Sequence, residues 1–307
     1  MKDNKSKYIS FMIIIFFYIY FFSSCYLIFA KELKVMTFNT WYGFINVDDG
    51  FNKGVKVIRE SGAEIIGLQE SASVAEEIGK SLGWNVVHEI GQGVCIISKY
   101  PILEKNFNNA WAVGALIRVI DNPIVDIYVW NCHLSSSPYG PNYARDGYPV
   151  EDILNKEKVR IFEINSIVED IKDLLNNTDT IPIILMGDFN TPSHLDWIEK
   201  TKNSHYGYVI KWPVSVILEE LGMKDSFRIV YPDPSINPGN TWSPIYKINE
   251  PQDRIDRIYF KGNKLKVIDS RVYTGHGKIN LDPDYWDNDW PSDHAALITI
   301  FDIGGCE

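Results

Sequence analysis

The chain has 307 residues, 45% of them hydrophobic and 23% charged, a composition that excludes collagen-like, coiled-coil and disordered classes. Four cysteines in this length exclude a disulfide framework. With 30 Lys and Arg against 40 Asp and Glu, the net charge of −10 excludes long-range attraction for phosphate polymers, unless a bound cation reverses the sign locally.

At the start of the chain Lys2, Lys5 and Lys7 precede an apolar run over residues 11–22, followed by Ser23, Ser24 and Cys25. Charge, then grease, then small residues is the order of an export signal. Two other readings stay open. Residues 8–30 are long enough to cross about 30 Å of hydrocarbon as a helix, which would make an anchor. Phe22-Ser23-Ser24-Cys25 loosely resembles a bacterial lipoprotein processing site, with Cys25 the lipidated residue. Three lysines and one aspartate in these thirty residues leave −12 on the remainder.

From residue 33 onward β-rich runs alternate with amphipathic helical patterns, without a linker or repeat, so one domain over 31–307 is expected. β-branched and aromatic content predicts strands at 34–38, 64–68, 84–88, 93–98, 112–120, 124–134, 181–186, 255–260, 264–273 and 295–301. Ten strands exceed one compact open sheet, which predicts two packed sheets. Helices are predicted at 52–61, 74–82, 152–175 and 214–221. In the third, Ile164, Ile167, Val168, Ile171, Leu174 and Leu175 share one face. Residues 135–150 and 231–253 are expected to stay irregular, and loops that long in a compact domain are commonly functional. Cys95 and Cys132 read as buried small hydrophobes, and Cys306 lies in the tail.

A strand that ends in a carboxylate, amide or imidazole puts that group at the rim of its sheet, where several strands can aim at one point. Asn39 follows Val35-Met-Thr-Phe, Glu70 follows Ile65-Ile-Gly-Leu-Gln, and His133 follows Tyr128-Val-Trp-Asn-Cys. Asp188 and Asn190 follow Ile183-Ile-Leu-Met-Gly, Asp256 lies inside Arg254-Ile-Asp-Arg, and Asp293 and His294 open the last strand. Singly, each fits a turn cap or a helix start. Taken in order, Asn39-Thr-Trp, Leu68-Gln-Glu70, Cys132-His133-Leu, Gly187-Asp188-Phe-Asn190, Arg254-Ile-Asp256-Arg and Ser292-Asp293-His294 resemble the motif series of the endonuclease/exonuclease/phosphatase superfamily. Its members include pancreatic-type DNases, abasic-site endonucleases, inositol polyphosphate 5-phosphatases and bacterial sphingomyelinases. The resemblance covers residues 33–301.

The resemblance implies an α+β fold, a four-layer α/β/β/α sandwich of two mostly antiparallel sheets with flanking helices, and hydrolysis of a phosphoester with Mg²⁺ or Mn²⁺. The oxygen-rich residue set independently suits such a hard cation, whereas two histidines without nearby thiolates make a poor zinc cage. By resemblance, Glu70 is the principal metal ligand, helped by Asn39 and Asp293. Asp188 orients or deprotonates the attacking water and Asn190 holds it or a phosphate oxygen. His294 contacts the phosphate, Asp256 hydrogen-bonds His294, and His133 is the candidate general acid for the leaving oxygen.

Arg145, Tyr143 and Trp242, in the two irregular stretches, are the candidates for substrate contact, with pairing to Asp146 or Asp152 the alternative for Arg145. His88, His194, His205 and His276 lie outside the motifs. The 5-phosphatase signatures are not matched, and no basic stripe marks a duplex-tracking nuclease. The expectation is a monomeric, secreted or surface-anchored Mg²⁺-dependent phosphoesterase acting on a small or lipid-linked phosphoester, with membrane association through the N-terminal segment. An exported DNase or RNase is the first alternative, and a binding protein that keeps the fold without catalysis is the second.

Overall fold

The computed structural model describes residues 31–89 and 93–304; the export, anchor and lipidation expectations, and Cys306, lie outside them. Alternation of apolar residues builds the first strand: in β1 (Glu32–Asn39), Leu33 and Val35 face one side of the sheet while Met36 and Phe38 face the other. Its parallel neighbour β2 (Ile65–Gln69) returns through the helix Gly50–Ser61, and β12 (Ala296–Asp302) lies antiparallel on its other side. With β11 (Lys266–Tyr273), β4 (Val94–Ser98) and β3 (Asn85–Val87), the first sheet has the order β11-β12-β1-β2-β4-β3.

The second sheet joins β5 (Ile102–Asn106), β6 (Ala112–Asp121), β7 (Ile124–His133), β8 (Ile183–Asp188), β10 (Asp256–Lys261) and β9 (Lys224–Asp225) in the order β5-β6-β7-β8-β10-β9. Each sheet has a single parallel pair at its centre, β1 with β2 and β7 with β8, among antiparallel ones. Parallel neighbours finish at the same rim, so Asn39 pairs with Gln69 and His133 with Asp188. The antiparallel β10 starts there, with Asp256 opposite Asp188. Topology alone therefore delivers the polar strand ends to one edge of the sandwich.

Between the sheets lies a core that includes Val35, Ile65, Ile96, Val129, Ile184 and Ile258. The outer faces are covered by the helices Gly50–Ser61 and Ala75–Leu82 on one side, over Phe38 and Leu68, and by Lys158–Leu175 and Pro213–Glu220 on the other, over Trp130 and Leu185. This is the expected four-layer sandwich. Each large aliphatic side chain so buried contributes about 1.5–3 kcal/mol. One buried amide pair crosses the core beneath the site: Gln69 Nε2 donates to Asn131 Oδ1 at 2.6 Å, and Asn131 Nδ2 donates to the Leu68 and Cys95 carbonyls at 2.9 and 2.8 Å. Gly67 makes room for it, because a Cβ there would sit 2.6 Å from Asn131 Oδ1.

Several boundaries differ from expectation. The helix predicted at 152–175 is two, Val150–Lys156 and Lys158–Leu175, because the chain tightens at Glu157, whose N–H bonds the Leu154 carbonyl at 3.1 Å. Glu157 is buried, and its carboxylate accepts Arg160 Nε at 2.9 Å. The stretch 135–150 contains a helix, Gly140–Arg145, with Pro141 in its first turn. The edge strands β5 and β9 escape sequence patterning because β5 is half polar and β9 spans two residues. Among the described residues no helix is long and apolar enough to cross a membrane.

Candidate active site

Asp188 is the hub of the rim. Its Oδ2 accepts Asn39 Nδ2 at 3.0 Å and lies 3.6 Å from His133 Nε2 and 3.7 Å from His294 Nε2. Its Oδ1 accepts the Asn190 N–H at 2.9 Å, which fixes the turn after β8. Asn190 in turn donates from Nδ2 to the Leu134 carbonyl at 2.8 Å, tying that turn to the chain leaving His133. Gly187 allows the close approach this needs, since a Cβ would fall 2.0 Å from the Cys132 carbonyl oxygen. Glu70 stands at a left-handed φ of 55°, a conformation that costs a non-glycine residue about 1–3 kcal/mol. That turn swings its carboxylate over the strand ends, where Oε2 accepts the Tyr42 N–H at 2.9 Å and Oε1 lies 3.3 Å from Asn39 Nδ2.

Four carboxylates, Glu70, Asp188, Asp256 and Asp293, share this site with one strongly basic group. His294 Nδ1–H donates to Asp256 Oδ2 at 2.9 Å, leaving Nε2 toward Asp188. Burial alone would push the imidazole pKa down, but Asp256, Asp188 and Asp293 outweigh it and hold the group up at about 10. Burial pushes the Asp293 carboxyl up to about 7, with Glu70 and Asp188 adding to the rise and His294 opposing it. Asp256 and Asp293 each keep one buried Oδ1 without a hydrogen-bond partner. Asp188, Asp256 and His294 also offer ligand atoms within 4.8 Å of one another, a grouping able to hold a cation.

The cleft over this cluster has a volume of about 370 Å³. Glu70, Asp188, Asn190, Asp293 and His294 form its floor, and Trp41, Tyr42, Tyr139, Trp242 and Tyr246 its walls; among the described residues no Lys or Arg lines it. His133 opens onto an adjoining depression with Trp111 and Ser136. Of the three substrate candidates only Trp242 is in the cleft, its ring 4.8 Å from that of His294 and its Nε1–H on Glu250 Oε1 at 2.9 Å. Arg145 is not: it bonds Asp146 at 2.9 Å and the Asn249 carbonyl at 2.8 Å, strapping the two irregular stretches together. Tyr143 is not either, and packs edge-on against Tyr148 beneath the Lys156 ammonium. Asn39, expected as a metal ligand, faces Glu70 and Asp188 with its amide nitrogen and gives its oxygen to the Trp41 N–H, so it holds the carboxylates as a donor.

Sequence reading passed over two supports. Arg160 Nη1 donates to the Ser135 carbonyl at 2.8 Å, and Glu163 accepts the Ser135 N–H at 2.8 Å, so two buried charged side chains of the long helix clamp the chain just past His133. Their signal was present, because both residues interrupt the apolar face of that helix. The second support is Asp253, which accepts Tyr139 Oη and Trp197 Nε1, each at 2.8 Å. Burial pushes its carboxyl up to about 6 despite these bonds.

The family model described as "Endonuclease/Exonuclease/phosphatase family" matches residues 36–294, from β1 to the His294 motif. The chain belongs to the endonuclease/exonuclease/phosphatase family. An uncharacterized protein of Caenorhabditis elegans, F14F9.5, is 34% identical over 294 residues, spanning 89% of this chain and 92% of its own. Among solved structures, an AP endonuclease from Archaeoglobus fulgidus is similar with a TM-score of 0.59 at 18% identity, covering 88% of this chain and all of that one (100%). Truncated TDP2 from C. elegans is similar with a TM-score of 0.56 at 16% identity, covering 88% and 97%. At these identities the structural likeness speaks for the fold. The chain thus has the fold of a hydrolase family that acts on phosphoesters.

Proposed function

We propose that the protein is a divalent-metal-dependent phosphoesterase acting on a small or lipid-linked phosphoester. The observation that supports this most is the placement of Asp188 Oδ2 within 3.6–3.7 Å of both imidazoles, in a cleft whose floor also holds Glu70 and Asp293. Asp188 takes a proton from the water that attacks phosphorus in line with the leaving oxygen. His294, kept cationic by Asp256, donates from Nε2 to a phosphate oxygen as negative charge grows there. His133 gives its proton to the leaving oxygen, and Asn190 orients the water or a phosphate oxygen.

The unpartnered Asp293 Oδ1 beside Glu70 fits a hard cation, and a protonated His294 makes the His294 side the poorer ligand set. Bound there by Glu70 and Asp293, Mg²⁺ or Mn²⁺ would neutralise phosphate oxygens during the reaction. Among the described residues no Lys or Arg lines the cleft, which weighs against a long nucleic acid that needs several phosphate contacts. For residues 1–30 the same proposal carries export or membrane attachment, on the charge and apolar pattern of the sequence.

The test supplies purified protein and Mg²⁺ with bis-p-nitrophenyl phosphate, the matching mono-ester and plasmid DNA. Release of p-nitrophenol that stops in EDTA is expected. Efficient plasmid degradation would overturn the small-substrate reading, and silence on every substrate by folded protein would favour the binding alternative.

A further inference from the structure

The two imidazoles of the rim are held in different ways. His294 is locked through its ring, by the Nδ1–H bond to Asp256 Oδ2 at 2.9 Å. His133 approaches carboxylates only at 3.6 Å, to Asp188, and at 4.0 Å, to Glu70, both outside hydrogen-bond distance. The aim of its ring therefore depends on the backbone that carries it.

That backbone is tied down residue by residue. The His133 N–H donates to the Trp111 carbonyl at 2.9 Å and the Leu134 N–H to the Asp188 carbonyl at 3.0 Å, while the Leu134 carbonyl accepts Asn190 Nδ2 at 2.8 Å. Ser135 lies past the strand end, and all three of its polar groups go to the long helix. Its N–H donates to Glu163 Oε2 at 2.8 Å, its hydroxyl donates to Glu163 Oε1, and its carbonyl accepts Arg160 Nη1 at 2.8 Å. Arg160 Nη2 reaches on to the Pro138 carbonyl at 2.6 Å.

Both helix residues are buried, and charges that deep are costly to desolvate; apolar side chains would seat the helix on its sheet as well. Their neighbours Ile164, Ile167 and Ile171 already do so. What the two charged residues add is a fixed path for the chain from His133 to Ser136, which lines both the cleft and the depression beside His133.

We infer that Glu163 and Arg160 are positioning residues for His133, holding Ser135 so that the His133 proton meets the leaving oxygen. The proton-donor part rests on the phosphoesterase reading above; the hold on Ser135 rests on its own geometry.

Two diesters separate positioning from plain stability. p-Nitrophenolate is a weak base that departs without a proton, whereas phenolate needs one, so diphenyl phosphate depends on a general acid and bis-p-nitrophenyl phosphate does not. Glu163→Gln leaves one oxygen where Ser135 needs two acceptors. It should lower kcat/KM for diphenyl phosphate about tenfold or more, and that for bis-p-nitrophenyl phosphate by less than about threefold. Ser135→Ala loses only the hydroxyl bond and should shift the two rates in the same sense by a smaller factor, which carries the test if Glu163→Gln does not fold. In a His133→Ala background Glu163→Gln should add nothing, because the group it positions is gone. Changes that are equal for the two esters, no change included, or a full further loss in the double variant would overturn the positioning role. Imidazole NMR reads the same hold without turnover: the His133 resonance, assigned by its loss in His133→Ala, should move in Glu163→Gln while that of His294 stays. If neither diester is hydrolysed, a moved His133 resonance sustains the positioning role and sinks the phosphoesterase reading. An unmoved resonance overturns the positioning role whatever the esters show.

Discussion

The two irregular stretches flank the same cleft and each carries three aromatic residues, yet they serve it differently. Residues 135–150 leave directly from His133 and bring Ser136, Tyr139 and Asn142 to the cleft, but Arg160 and Glu163 grip their first turn, and Tyr143 and Arg145 are turned away into packing. Residues 231–253 approach from farther along the chain, and backbone pairing of Trp242 with Asp253 and His294 carries Trp242, Tyr246 and Glu250 into the cleft. Nearness to His133 in the chain brings only some side chains of a stretch to the cleft, whereas backbone pairing beside His294 holds Trp242 there.

The comparison can be broken from several directions. The largest effect belongs to the floor that both stretches enclose: Asp188→Ala or His294→Ala should lower kcat by about 10²–10⁴-fold, with the circular dichroism spectrum unchanged. Wild-type rates in either variant would remove the assignment. Arg160→Ala attacks the first stretch, leaving Glu157 buried and uncompensated, and should cost about 3–5 kcal/mol in urea unfolding. A loss under about 1 kcal/mol would show that the clamp is incidental.

A pH titration sharpens the account of the second stretch, because Trp242 packs on His294. The His294 pKa is raised from 6.5 to about 10, so its stabilisation is fully present below pH 6.5 and is lost as pH rises through about 10. Thermal unfolding temperature should fall across that window, and Asp256→Asn should flatten the fall by removing the partner that raises the imidazole. A slope unaffected by Asp256→Asn would detach the pair from stability. The smallest effect is expected from Arg145→Ala, which loses a partly exposed strap worth no more than about 1 kcal/mol and should leave kcat/KM within about twofold. A large loss of activity there would return Arg145 to the substrate.

The polar rim was legible in the sequence because it depends on local facts: strands that end in Asn39, His133 and Asp188, and a topology whose parallel pairs finish together. The two-sheet sandwich followed from strand number. What escaped depends on tertiary contacts. The break at Glu157 comes from a tightened turn, and the burial of its carboxylate on Arg160 is a tertiary fact that a helical pattern cannot show. Arg145 looks like a phosphate ligand in sequence and becomes a strap only when residue 249 lies beside it. Asn39 was found, but which end of its amide faces the carboxylates is set by the Trp41 N–H. Asp253, three residues before Asp256, hid its role because Tyr139 and Trp197 reach it from distant segments.

The central claim is that Glu70 anchors a divalent cation that phosphoester hydrolysis requires. The most direct measurement is a Mg²⁺ titration of p-nitrophenol release from bis-p-nitrophenyl phosphate, by the wild-type protein and by Glu70→Ala. The account predicts no release in EDTA, recovery on adding Mg²⁺, and a half-saturating concentration raised at least about tenfold in the variant. Superimposable titrations for the two proteins, or undiminished release in EDTA, would contradict it.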